Sequence, residues 1–173
     1  MSKPINICSM NCRGLGNFKK RRDVFNYLRD KDFSIICLQD THFEKKTENQ
    51  ILAEWGYKAW FSSYLSNSRG VTILFKNNFE FKVHNSKHDP GGNFLILDVT
   101  IDDKRLTLVN IYAPNKDSPD FFNDLKQNII QQGNINIIVV GDWNLLIDPN
   151  MDGNNYKFIN NPNSRFKVEE LIF

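Results

Sequence analysis

Polar side chains able to hold a cation or a phosphate stand directly after apolar runs at four places in the chain. Asn11 follows residues 5–10, Gln39 and Asp40 follow residues 34–38, Asn110 and Tyr112 close residues 105–112, and Asp142 and Asn144 follow residues 135–140. If the apolar runs are neighbouring strands, these oxygens converge at one end of the fold. A hard divalent cation needs such a set: magnesium takes oxygens at ~2.0–2.1 Å, keeps several waters, and binds through one or two carboxylates. An ion so held stabilises charge on a phosphoryl oxygen and acidifies a bound water. Taken singly, an Asp or Asn after a strand is also a turn residue or a helix cap, and a Tyr in a strand is packing. Four such places on one short chain make the case.

The elements that must position these residues can be read from spacing. Residues 5–10 form a first strand, broken by Gly14 and Gly16, and a helix follows over 18–30 with Val24, Phe25 and Leu28 inward. Residues 34–38 form a buried strand, and 44–55 a helix with Ile51, Leu52 and Trp55 inward. Strands are expected over 58–64 and 70–75. Residues 94–101 and 105–112 alternate and are joined by Asp102-Asp103, which predicts a hairpin. A helix runs from Ser118 to about residue 132: Ser118 caps it, Pro119 suits its first turn, and Phe122, Leu125 and Ile129 recur at helical spacing. The β-branched run 135–140 predicts a strand deep in the sheet. Ser164 is placed to cap a last helix bearing Phe166, Val168, Leu171 and Ile172. Its uncapped apolar end predicts a chain cut within its domain.

Composition limits the class. At 173 residues the chain suits one domain, here taken as residues 1–173. With 40% hydrophobic, 13% aromatic and 24% charged residues it is no collagen, disulfide scaffold or disordered chain. No apolar run approaches the ~20 residues that span a bilayer, and no signal-peptide pattern opens the chain. The expectation is a soluble protein of the nucleus or cytoplasm, with no membrane partner. Three cysteines, Cys8, Cys12 and Cys37, lack metal-ligand spacing and fit a reducing compartment. Net charge is +2, but residues 1–31 hold eight Lys/Arg against two acids, so that segment is +6 and the remainder −4. A basic entry beside an acidic remainder suits a polyphosphate near a cation; a solvated helix face is the plainer alternative.

Five motifs occur in an order that resembles the endonuclease/exonuclease/phosphatase family: Met10-Asn-Cys-Arg-Gly14, Leu38-Gln-Asp-Thr-His42, Arg69-Gly-Val-Thr-Ile-Leu74, Asn110-Ile-Tyr-Ala-Pro-Asn115 and Gly141-Asp-Trp-Asn144. Within the family, Asn115 after Tyr-Ala-Pro and the stretch Leu145-Leu-Ile-Asp-Pro149 are most similar to the endonuclease of non-LTR (LINE-type) retrotransposons. The resemblance implies an α/β fold, a four-layer α/β/β/α sandwich with two mixed β-sheets, truncated at the C-terminus. It implies a Mg2+ (or Mn2+) ion held by Asn11 and Asp40. Tyr112 would bond the scissile phosphate, Asp142 orient or activate the attacking water, and Asn144 contact the phosphate or stabilise the transition state. Asn115 would shape the site and touch DNA, with Arg13, Lys19 and Lys20 as further substrate contacts. The implied partner is DNA, bound by a monomer that in its parent element belongs to a larger reverse-transcriptase polyprotein.

Two departures bear on activity. The family carries a later Arg-hydrophobic-Asp-Tyr stretch and a terminal Ser-Asp-His motif, and nothing after Asn144 matches either. The three histidines lie upstream: His42 reads as a rim residue beside Asp40, and His84 and His88 as flanking a surface loop at residues 89–92. The sequence thus leaves three readings open: a DNA-nicking endonuclease impaired by the missing Asp/His motifs, an inactive remnant with residual DNA or metal binding, or a phosphatase or abasic-site nuclease of the same superfamily. The other departure is Asp40, where glutamate is usual. Its reach is shorter by roughly 1 Å, which an octahedral magnesium site feels. Magnesium titration is therefore expected to show several-fold tighter binding for Asp40→Glu than for the parent; equal affinities would refute this.

Overall fold

Strands buried on both faces should read as unbroken apolar runs rather than as alternation, and the central strands do. A computed structural model of the chain describes residues 4–145 and 161–172. Strands β1 (Ile7–Asn11), β2 (Ile35–Gln39), β3 (Ala59–Ser62) and β4 (Val71–Phe75) form one sheet in the order β1-β2-β4-β3. Strands β5 (Lys82–His88), β6 (Phe94–Ile101), β7 (Lys104–Tyr112) and β8 (Ile137–Asp142) form a second in the order β5-β6-β7-β8. Each sheet is mixed: β1–β2 and β7–β8 pair in parallel, and the other neighbours are antiparallel.

Period two decides which side chain enters which layer. Ile35, Cys37, Ile73 and Phe75 of the first sheet meet Leu95, Leu97, Leu106 and Leu108 of the second. On the outer face of the first sheet, Ile36, Leu38 and Leu74 pack against helices α1 (Phe18–Asp30) and α2 (Glu48–Trp55) through Phe25, Leu28, Ile51 and Trp55. On the outer face of the second, Phe94, Ile96, Val109 and Ile111 meet Leu125 and Ile129 of α3 (Pro119–Ile130). The result is the expected four-layer α/β/β/α sandwich. No helix among the described residues is long and apolar enough to cross a membrane.

Several local expectations are corrected. Strand β8 is an edge among the described residues, not a central strand, and Ile137 is 46% exposed. Its apolar character is used on its faces: Ile138 and Val140 pack between the sheets and Val139 packs on the α3 side. The residues around His84 and His88 form strand β5, whose polar sequence Lys82–His88 gives no apolar signal; its lysines suit a sheet edge. Leu52, expected inward, is exposed, as is Phe166 on the last helix. Ser118 makes no side-chain cap bond, and its N–H donates to Ser164 Oγ at 2.6 Å. Ser164 in turn is no cap. It is buried inside α4 (Pro162–Ile172), where its N–H and Oγ donate to Asp117 at 2.8 and 2.7 Å, docking α4 on the segment before α3.

One cation of the basic N-terminal segment is structural. Arg21 is buried on α1, where its Nε and Nη2 donate to Glu54 of α2 at 2.6 and 2.9 Å and its Nη1 to the carbonyls of Leu15 and Gly16. These bonds hold the Glu54 carboxyl below its ordinary value of 4.5, the Arg21 hydrogen bond contributing most. The unfolded chain therefore takes up this proton first, so the stabilisation is present above pH 4.5 and is lost as pH falls below it. Glu54→Gln is expected to lower unfolding free energy by about 2 kcal/mol at neutral pH, and to flatten the loss of stability in acid. Urea titrations across pH read both.

Candidate active site

The rows of side chains that enter the space between the sheets change character along each strand. They run Ile7, Ser9, Asn11 on β1; Ile35, Cys37, Gln39 on β2; Leu106, Leu108, Asn110, Tyr112 on β7; and Ile138, Val140, Asp142 on β8. One end of the inter-sheet layer is carbon, and the other is amide, phenol and carboxylate. The parallel pairings align these ends, setting Asn11 beside Gln39 and Tyr112 beside Asp142.

A buried amide pair forms the floor. Gln39 Nε2 donates to Asn110 Oδ1 at 2.8 Å across the sheets, and Asn110 Nδ2 donates to the carbonyls of Leu38 and Thr72 at 3.0 Å each. Above it, Asn11 Nδ2 donates to Asp142 Oδ2 at 2.6 Å, a second crossing between the sheets. Asp142 Oδ1 accepts the Asn144 N–H at 3.1 Å, while Asn144 Nδ2 donates to the Ala113 carbonyl at 2.6 Å. Asn11, Gln39, Asp142, Trp143 and Asn144 line an open cleft of about 520 Å³.

Gly141 lets β8 approach this closely. Its φ is +145°, and a Cβ there would overlap the Ile111 carbonyl oxygen. Five of the nine non-glycine residues with positive φ among the described residues surround the site: Arg13, Asp40, His42, Arg69 and Asn144. Such backbone is held in place by its surroundings. Asp40 Oδ1 accepts the Arg69 N–H at 3.1 Å and contacts His42 Nε2 at 3.0 Å, while the Asp40 and Thr41 carbonyls accept from Gly14 and Leu15 at 2.8 Å each.

Tyr112 lies within reach of the charges of two carboxylates, Asp40 and Asp142. Burial pushes its phenol above the ordinary value of 10.0, and the charges of Asp40 and Asp142 push the same way, against a hydrogen bond with the Asn144 side chain and the charge of Arg69. The hydroxyl is therefore a proton donor throughout the neutral range.

A divalent cation fits the donor set. Among the described residues there is no group of three His, Cys, Asp or Glu that would make a closed cage. What is present is the Asp40 carboxylate, whose Oδ2 has no protein partner among the described residues, and the Asn11 carbonyl oxygen, which accepts only the Arg13 N–H at 3.0 Å. One carboxylate and one amide oxygen suit an ion that keeps most of its water.

Residues 6–165 match the endonuclease/exonuclease/phosphatase family. The chain belongs to that family. It is 27% identical over 147 residues to the transposon TX1 uncharacterized 149 kDa protein of Xenopus laevis, a match that takes in 83% of this chain and 11% of that protein. Its fold resembles the AP endonuclease LMAP of Leishmania major, with a TM-score of 0.79 at 16% identity over 97% of this chain and 66% of that one. It also resembles the endonuclease domain of TRAS1, a telomere-specific non-LTR retrotransposon, with a TM-score of 0.63 at 15% identity over 97% of this chain and 71% of that one. The chain thus spans about two-thirds of the first of these structures and a small part of the transposon protein.

Within this endonuclease/exonuclease/phosphatase domain, Asn11, Asp40, Tyr112, Asp142 and Asn144 come together. Asn115 is exposed beyond the end of β7, and Arg13 and Lys19 are exposed on the loop after β1 and the start of α1. The Lys20 ammonium donates to the Cys12 and Arg13 carbonyls at 2.8 and 3.0 Å and so also braces that loop. His84 is bonded to Thr100, and His88 to Ser86 and the Phe61 carbonyl. Residues 146–160, which include the carboxylates of Asp148 and Asp152, lie outside the described residues. The floor pair was legible as two amides among apolar residues, but its partnership needs the register between the sheets. Asn110→Ala removes the acceptor that Gln39 Nε2 finds across the sheets, leaving it Ser9 Oγ and the Cys37 carbonyl, and takes a donor from the Leu38 and Thr72 carbonyls, at about 1–3 kcal/mol in all. The expected outcome is a loss of several degrees in Tm, read by thermal unfolding.

Proposed function

We propose that the chain is a divalent-metal-dependent phosphodiesterase that nicks DNA, of the kind encoded by non-LTR retrotransposons. The observation that carries this is the placement of the Asp142 carboxylate, held by Asn11 and the Asn144 N–H, beside a protonated Tyr112 and the separate carboxylate of Asp40. Similarity to the TX1 transposon protein supports the branch, and the polarity of the cleft supports a charged substrate.

In this reading Asn11 and Asp40 hold Mg2+ or Mn2+, which supplies charge neutralisation at a phosphoryl oxygen and an acidified water. Asp142, fixed on both oxygens, orients the attacking water and accepts its proton. Tyr112 donates a hydrogen bond to a non-bridging phosphate oxygen, and Asn144, bonded to Tyr112, holds that donor in line. Donors fixed before substrate arrives need no reorganisation as charge develops. Asn115, Arg13, Lys19 and Lys20 border the path of the strand. The domain acts as a monomer within a longer transposon-encoded polypeptide.

A weaker activity is favoured by one specific observation. His42 is bonded to Asp40, and His84 and His88 lie on β5, so none of the three histidines is bonded to Asp142. A positioned acid–base group contributes ~10²–10⁴-fold. In magnesium the 173-residue chain is expected to relax supercoiled plasmid slowly, to nicked circles, and Asp142→Ala to abolish even that. Cleavage that survives Asp142→Ala refutes the assignment of Asp142.

A further inference from the structure

Three arginines show how this fold uses the guanidinium. Arg21 presents its Nε–Nη2 edge to Glu54, and Arg105 presents the same edge to Asp98 at 3.0 and 2.6 Å. That edge matches a carboxylate or a phosphate with two parallel bonds. Arg69 differs. Its Nη1 donates to the Gly91 carbonyl and to Asn93 Oδ1, both at 3.1 Å, and its guanidinium lies 4.3 Å from the centre of the Tyr64 ring. The Nε–H and both Nη2 hydrogens have no protein acceptor, and no carboxylate lies within ion-pairing distance of the guanidinium, among the described residues.

The side chain is not loose. Asn93 is buried, and it ties Arg69 to the site: its Oδ1 accepts from Arg69, its Nδ2 donates to the Tyr112 carbonyl at 2.8 Å, and its own carbonyl accepts the Tyr112 N–H at 2.7 Å. The Asn93 N–H is in turn held by Asp89 Oδ2 at 2.7 Å. The Arg69 main chain meanwhile donates to Asp40, and the Arg69 charge acts on the Tyr112 hydroxyl. A fixed cation with an unfilled two-point edge thus borders Asp40 and Tyr112. Tyr64 and Asn93 bear the entropic cost of holding it there before any anion arrives.

We infer that Arg69, clamped by Gly91, Asn93 and Tyr64, is a phosphate subsite that takes a backbone phosphate of DNA next to the scissile one. The inference rests on the nuclease reading above and adds to it a substrate contact that the motifs did not suggest. Because the Asp40 contact comes from the Arg69 backbone, a side-chain substitution leaves that bond in place.

The test is DNA binding by the full chain, followed by fluorescence anisotropy with a short labelled duplex and calcium as the divalent ion. Each phosphate neutralised contributes about −0.9 to the slope of log K against log salt. Arg69→Gln is expected to reduce the steepness by about 0.9 and to weaken binding several-fold. Arg69→Lys keeps a charge but not the two-point edge; it should retain the slope and still bind several-fold more weakly. An unchanged slope in Arg69→Gln, or parental affinity in Arg69→Lys, overturns the inference while leaving the nuclease reading intact. A parent chain that does not bind DNA overturns both. A merely structural arginine would alter melting without altering the salt slope.

Discussion

The amide of Gln39 and the amide of Asn110 meet in the middle of the molecule, in positions that the row of residues before them would give to aliphatic side chains. A buried amide left unpaired is costly, so the two sheets are held to the one register in which these groups find each other and the Leu38 and Thr72 carbonyls. Apolar packing between sheets tolerates sliding; a shared set of buried donors and acceptors does not. That constraint passes upward. Asn11 is the neighbour of Gln39 in the β1–β2 ladder and Tyr112 follows Asn110 two residues on, so fixing the amide pair fixes the distance at which Asn11 reaches Asp142.

The site is therefore a boundary layer more than a pocket. Three of its members, Asn11, Tyr112 and Asp142, are the last inward-facing residues of their strands, and what lies beneath them is the same layer continued in carbon. Several of the loops leaving these strands carry left-handed backbone, at Arg13, Asp40 and Asn144, because each chain must turn sharply away from a strand end whose side chain is retained in the layer. Gly141 has the same origin: β8 comes close enough to β7 that no Cβ is tolerated opposite Ile111.

Much of this was legible in the chain. Five ordered motifs carried the family, the helix at residues 18–30 was marked by spacing, and that at 119–130 by spacing and by Pro119 in its first turn. What escaped depended on distant partners. Arg21 reads as one of a run of exposed cations until Glu54, 33 residues away, is brought to it by the packing of α1 on α2. Strand β5 has almost no apolar content, since its outer edge and much of its surface meet water. The run at 135–140 looks central because buried faces and buried edges leave the same apolar signature in a sequence. Arg69 and Asn93 belong to loops, where no periodicity marks a residue for a role.

The edge positions of β1 and β8 among the described residues divide the site mechanically. Asp40 directly follows β2, which is flanked on both sides by hydrogen-bonded neighbours, whereas Asp142 ends, and Asn144 follows, a strand zipped to the sheet along one side among the described residues. Opening free energies within one protein run from near zero at frayed elements to the global value in a central strand. Of the two proposed cation ligands, Asp40 therefore belongs to the slow, rigid part of the molecule, whereas Asn11, at the end of the edge strand β1, shares with Asp142 and Asn144 a strand end that opens more readily. The Asn11–Asp142 bond thus joins two strands that are edges among the described residues, so whatever lies against their outer sides governs how often the site is assembled.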